Sequence, residues 1–277
     1  MQASAPDVAL CHRGMVTAPA ALHLHRPAIA DLTPATHRIS FQTVNWAGRV
    51  NDPSVHALAP RGSLTRGDLT ALGNRARAGS RRQRRDLFVA TLMWGYGESS
   101  ARGPRYADAA LASPRLDPAL DAATNAITAR NLAGAWLAFA LARVPGYNQG
   151  FFTKYLYFAA RGDPRWGVRP LIYDSLVHNA LSFLADWLGV NLGPRPRPLV
   201  DRYVAYCTLL DDWATHLEVE AEQVEMFLYQ TRGRLFDPAP AFRALAGAAV
   251  ADDRSGRASP RLATTVADLP PEVTVSY

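Results

Sequence analysis

Apolar residues recur at intervals of three and four through most of the chain, and Gly or Pro interrupts the rhythm about every 15 to 20 residues. Runs that alternate apolar and polar residues, as half-buried strands do, are nearly absent. The pattern predicts an all-α fold. One helix is predicted from Ser80, where Gln83 is placed for a capping box, through Leu87, Phe88, Leu92 and Met93 to a stop at Gly95. Others follow at about 117 to 129 and 131 to 143. Pro145 and Gly146 then break the chain, and a helix rich in Phe and Tyr runs from about Gly150 to Ala160, followed by a loop from Arg161 to Tyr173. Asp174 opens the next helix, which carries Leu176, Val177, Leu181, Leu184 and Leu188 inward. Two more, at about 198 to 217 and 220 to 231, complete the set, and no internal repeat is found.

A chain of 277 residues with 48% apolar content can bury one substantial core. Residues 1–38 are rich in Ala, Pro and His, and those from 237 onward in Ala, Pro, Asp and Ser, both without sustained periodicity. The expected organisation is a folded domain over 39–236 between N- and C-terminal extensions that are tails or loosely docked. Leu132 to Ala142, the most apolar stretch, is too short to span a membrane, and the N-terminus lacks the basic and apolar segments of a signal peptide. Cys11 and Cys207 are too few for a zinc ribbon or a disulfide scaffold, so a cytoplasmic protein is expected.

Net charge sharpens the reading. Basic residues exceed acidic ones by six, which favours a polyanionic partner. Of the 30 basic residues only Lys154 is a lysine. Arg75, Arg77, Arg81, Arg82, Arg84 and Arg85 make the densest basic run, read as a solvated helix surface, and Arg102 and Arg105 are candidate phosphate contacts. His12, His23 and His25, and the spacing of Asp211, Asp212 and His216, invite a metal hypothesis, but structural or solvent-facing roles are expected for both sets. Neither a Gly-Lys-Ser/Thr phosphate loop nor a Gly-x-Gly-x-x-Gly turn occurs, which argues against nucleotide hydrolysis and nicotinamide chemistry.

The segment from Val144 to Gly150 joins two apolar helices by a tight turn, in which Asn148 can adopt the left-handed conformation. Amides of Gly146, Asn148, Gln149 and Gly150 would then be offered to a phosphate at the start of the second helix. An ordinary helix connection is the alternative for this segment. Downstream, Asp174 stands where an N-cap is common, and Lys154 could equally snorkel from a core helix. Trp94 and Tyr96 flank Gly95 at a helix end, where aromatic side chains serve either the core or a stacking role.

Four blocks, in order, change these odds: Met93-Trp94-Gly95-Tyr96-Gly97; Gly150-Phe151-Phe152-Thr153-Lys154-Tyr155-Leu156-Tyr157-Phe158; Leu171-Ile172-Tyr173-Asp174-Ser175-Leu176-Val177; and Val224-Glu225-Met226-Phe227-Leu228. Together they resemble the helix-hairpin-helix superfamily of DNA glycosylases, and more closely a bacterial group described as having the 8-oxoguanine DNA glycosylase fold. The resemblance covers about residues 40 to 236.

It implies that Asp174 is the catalytic carboxylate and that Lys154 is similar to the lysine with which some members attack the sugar. It implies further that Tyr96 enters the duplex beside the extruded base, that Trp94 and Phe151 form the base pocket, and that the hairpin and Arg102 hold DNA. Strict alignment puts Gly150 where the bifunctional enzymes have their lysine, with Lys154 one turn later, which leaves the strand-cleaving lyase step open. The expected partner is duplex DNA containing a modified base, acted on by a monomer with no cofactor or catalytic metal. That base is either an oxidised purine such as 8-oxoguanine, in repair, or a glucosylated hydroxymethylcytosine, in phage defence. A helix-hairpin-helix protein that binds nucleic acid without catalysis is the alternative.

Overall fold

The computed structural model of the chain describes residues 16–99, 102–188 and 199–232. Thirteen α-helices lie within them: α1 (Ala20–Leu24), α2 (Arg26–Ala30), α3 (Thr43–Ala47), α4 (Pro53–Leu58), α5 (Arg66–Ala78), α6 (Arg81–Tyr96), α7 (Arg102–Leu111), α8 (Leu116–Thr128), α9 (Leu132–Ala142), α10 (Gln149–Ala160), α11 (Ser175–Leu188), α12 (Leu199–Leu217) and α13 (Ala221–Thr231). The only sheet among the described residues is a two-stranded antiparallel ladder, β1 (Arg38–Ser40) with β2 (Ser63–Thr65), in which Ile39 faces Leu64. The all-α reading holds. His12, Cys11, the 237–277 extension and the side chains of Leu184 and Leu188 lie outside the described residues.

Helix α6 begins as the pattern requires, with Ser80 and Gln83 forming a reciprocal capping box. It ends one residue later than expected, at Tyr96, where Gly97 turns the chain with a φ of 56°. At the hairpin the structure corrects the sequence reading. Gly146, at φ 69°, takes the left-handed position, whereas Asn148 is extended (φ −86°, ψ 179°) and caps α10 by accepting the Gly150 amide at 3.1 Å. Asparagine suits both tasks, and with a glycine two residues earlier to take the steric burden it serves as the cap.

Helix α10 is the centre of the molecule. Every residue from Phe152 to Ala160 is buried, Thr153 and Lys154 included, and the helix packs against α5, α6, α8 and α9. The segment after it is pinned from two sides. The Tyr173 amide donates to Thr153 Oγ1 of α10 at 3.1 Å, and the hydroxyls of Tyr203 and Tyr206 on α12 donate to the carbonyls of Leu171 (2.9 Å) and Ile172 (2.7 Å). Buried loop backbone must find such partners, and these bonds fix where Asp174 emerges.

Part of the expected N-terminal extension is folded. Arg26 reaches the Leu217 carbonyl (2.7 Å) and Glu218 (2.6 Å), and Gln223 of α13 donates to the carbonyls of Ala30 and Leu32. The two histidine sets that the sequence offers separately meet here, with His23 Nε2 3.0 Å from His216 Nδ1. No cluster able to hold a metal ion is found among the described residues. No described helix is long and apolar enough to cross a membrane.

Candidate active site

An open cleft of roughly 1020 Å³ lies where the end of α6, the hairpin and start of α10, the start of α11, β1, and residues of α12 and α13 converge. Trp94, Tyr96, Asn148, Gln149, Gly150, Phe151, Lys154 and Asp174 all line it. Two other sequence candidates do not. Gly146 sits in the turn behind, where a Cβ would come within 2.7 Å of the Tyr106 ring, and Arg102 is an exposed residue at the start of α7.

Asp174 caps α11, its Oδ1 accepting the amides of Leu176 (3.1 Å) and Val177 (3.2 Å). Its Oδ2 meets Lys154 Nζ at 3.1 Å. Burial pushes the Asp174 carboxyl up, but Lys154 and the two amides outweigh it and hold the group below the ordinary carboxylate value. Asp174 is therefore an ionised carboxylate with one edge bound to a helix end and the other to an ammonium group.

Lys154 also donates to the Gly150 carbonyl at 2.8 Å. A Cβ built on Gly150 would stand 3.6 Å from Asp174 Cβ, so position 150 borders the residue whose carboxylate Lys154 reaches from one turn further on. The fit depends on Gly95, because a Cβ there would come within 2.8 Å of the Phe151 ring and 3.3 Å of Lys154 Cδ. Phe151 in turn packs against Tyr96 (ring centroids 4.3 Å apart) and lies 5.7 Å from the Lys154 ammonium.

Tyr96 is thus a packed wall of the cleft, half-buried between Phe151 and Tyr106, and burial beside Tyr106 pushes its hydroxyl up to about 12. Trp94 is more deeply buried, edge-on to His37 and Phe158. The Gly150 amide, offered to a phosphate in the sequence reading, is taken by Asn148. Half of the dense arginine run is engaged within the fold, Arg84 with Asp121, Arg85 with Asp117 and Arg77 with the Ala159 carbonyl, while Arg75, Arg81 and Arg82 are exposed.

Sequence reasoning missed Arg38, Tyr173, His178, Arg202 and Tyr229 in the cleft wall. His178 was the legible one, four residues beyond Asp174 and so on the same helix face. It also missed the buried pair behind Trp94, where Arg66 meets Glu225 at 2.6 and 3.3 Å with both side chains almost fully enclosed. The signal for Glu225 was a charge set among the apolar residues Val224, Phe227 and Leu228.

No curated protein and no solved structure matches the chain. A family model does, over residues 32–229, described as "Putative 8-oxoguanine DNA glycosylase OGG-like protein". The match spans every residue that lines the cleft, from Arg38 to Tyr229. With more than half of its length matched and an almost entirely helical fold, the chain belongs to this 8-oxoguanine DNA glycosylase-like family, within the helix-hairpin-helix glycosylases.

Proposed function

We propose that the protein is a DNA N-glycosylase that draws a modified base out of duplex DNA into the cleft and hydrolyses its N-glycosidic bond, leaving an abasic site. The observation that carries this reading is the ionised carboxylate of Asp174, held beside the only lysine of the chain in an open, aromatic-walled cleft at the helix-hairpin-helix turn. As the bond from C1′ to the base nitrogen breaks, its electron pair leaves with the base and positive charge develops on the deoxyribose. A carboxylate beside C1′ stabilises that charge, and water adds to C1′, giving up its proton by way of Asp174. The packed pair of Tyr96 and Phe151 supplies an aromatic wall for the pocket of the extruded base, and the hairpin approaches the backbone, with the Gln149 amide and the small Gly150 at the start of α10.

The environment of Lys154 favours hydrolysis over a lyase step. Its Nζ donates both to Asp174 and to the Gly150 carbonyl, and attack on C1′ would require the amine to give up both contacts. In this reading Lys154 positions the carboxylate, and borohydride should trap no covalent complex with substrate DNA. A trapped adduct that Lys154→Arg abolishes would instead assign Lys154 as the attacking amine.

The cleft stands at the upper end of the ~300–1,000 Å³ range of small-molecule sites, so it has room for a base that carries a sugar as well as for an oxidised purine. Purified protein should be incubated with oligonucleotides holding 8-oxoguanine and with phage DNA bearing glucosylated hydroxymethylcytosine, and the free base measured by mass spectrometry. Release from the first places the enzyme in repair and release from the second in defence. Tight binding with no release from either would leave a non-catalytic DNA-binding protein.

A further inference from the structure

Hydrolysis needs a second group, because the base departs more readily if its nitrogen is protonated as the bond breaks. Asp174 does not supply that proton, since it is held in the ionised form. Among the other cleft residues, Arg38 and Arg202 do not release protons, and burial raises the hydroxyls of Tyr96 and Tyr229. The Lys154 ammonium is nearly enclosed and is turned toward Asp174 and the Gly150 carbonyl.

His178 remains. It lies four residues beyond Asp174 on α11, its amide closing the first turn on the Asp174 carbonyl at 2.9 Å, and both side chains line the cleft. Its ring is exposed, yet its orientation is set: Nδ1 is 2.9 Å from the Tyr173 hydroxyl. Tyr173 is held in turn by stacking on Tyr206, with ring centroids 4.6 Å apart, and by its amide bond to Thr153. An aromatic hydroxyl on one ring nitrogen leaves the other, Nε2, directed away from it.

We propose that His178, oriented by Tyr173, is the general acid that protonates the departing base; the proposal rests on the glycosylase reading above. The imidazolium donates Nδ1–H to the Tyr173 oxygen and presents Nε2–H to the base. When the C1′–N bond breaks, its electron pair goes to the base nitrogen and the Nε2 proton follows. The ring keeps Nδ1–H, so the bond to Tyr173 is the same before and after transfer. Solvent returns a proton to Nε2 before the next turnover.

The test uses single-turnover release from the 8-oxoguanine duplex and from glucosylated phage DNA, with binding measured on a duplex holding a tetrahydrofuran abasic analogue. His178→Gln should lower release about 100-fold on whichever DNA the wild type cleaves, while affinity for the analogue changes less than about threefold. Tyr173→Phe keeps the stacked ring and loses only the hydroxyl, so it should cost less, and the double variant should be no slower than His178→Gln. Release by His178→Gln within about threefold of wild type overturns the proposal, and so does a parallel fall in rate and affinity, which would make His178 a DNA contact. A wild type that binds both DNAs and releases neither base contradicts the glycosylase reading itself, whatever the His178 variant does.

Discussion

Asp174 uses its two carboxylate oxygens differently, one for the amides of Leu176 and Val177 and one for Lys154. Asparagine caps a helix as well as aspartate does, so Asp174→Asn should keep the start of α11 while removing the charge. Asp174→Ala should lose the cap as well and be less stable than Asp174→Asn by about 1 kcal/mol in urea melts. The acid side gives a further check. The folded carboxyl titrates below its unfolded value, so its contribution is fully present above the unfolded value near ~3.9 and is lost as pH falls through the folded one. The stability gap between wild type and Asp174→Asn should therefore narrow on acidification below about pH 4, and a gap constant with pH would contradict the ion pair.

The hairpin shows what local signals do and do not settle between elements. Pro145 and Gly146 mark the break, and Gly146 is the residue that turns left-handed. Asn148 was misjudged because asparagine is favoured both in left-handed turns and at N-caps, and only the placement of α10 decides between them. The Ser80 and Gln83 box at α6 had no such competitor and was legible outright. Asn148→Asp should retain the cap with unchanged melting temperature but weaken DNA binding, since it sets a carboxylate where a phosphate would approach. Gly95→Ala tests the junction of α6 with α10. Its Cβ meets the Phe151 ring and Lys154 Cδ, so these side chains must give way, costing about 1–3 kcal/mol and slowing base release by displacing Lys154 from Asp174.

At the scale of the whole molecule the cleft is built from residues far apart in the chain, with Arg38 near one end of the described segment and Tyr229 near the other. No periodicity brings such residues together, so they were illegible, whereas Asp174, Lys154 and the aromatic pair of Tyr96 and Phe151 stood in the blocks that resemble the glycosylase family. Arg66 and Glu225 are separated by 159 residues and tie the β2–α5 junction to α13 behind the cleft. Breaking that enclosed pair with Glu225→Ala should cost about 3–5 kcal/mol in urea melts, because an uncompensated guanidinium is left inside. The central claim is that the Asp174 charge performs chemistry rather than only supporting the fold. It is tested most directly by measuring free base released by wild type and Asp174→Asn from the two modified DNAs under conditions where both proteins bind fully. The account predicts release by wild type and a loss of at least about 100-fold in Asp174→Asn with affinity retained; equal release by both proteins would contradict it.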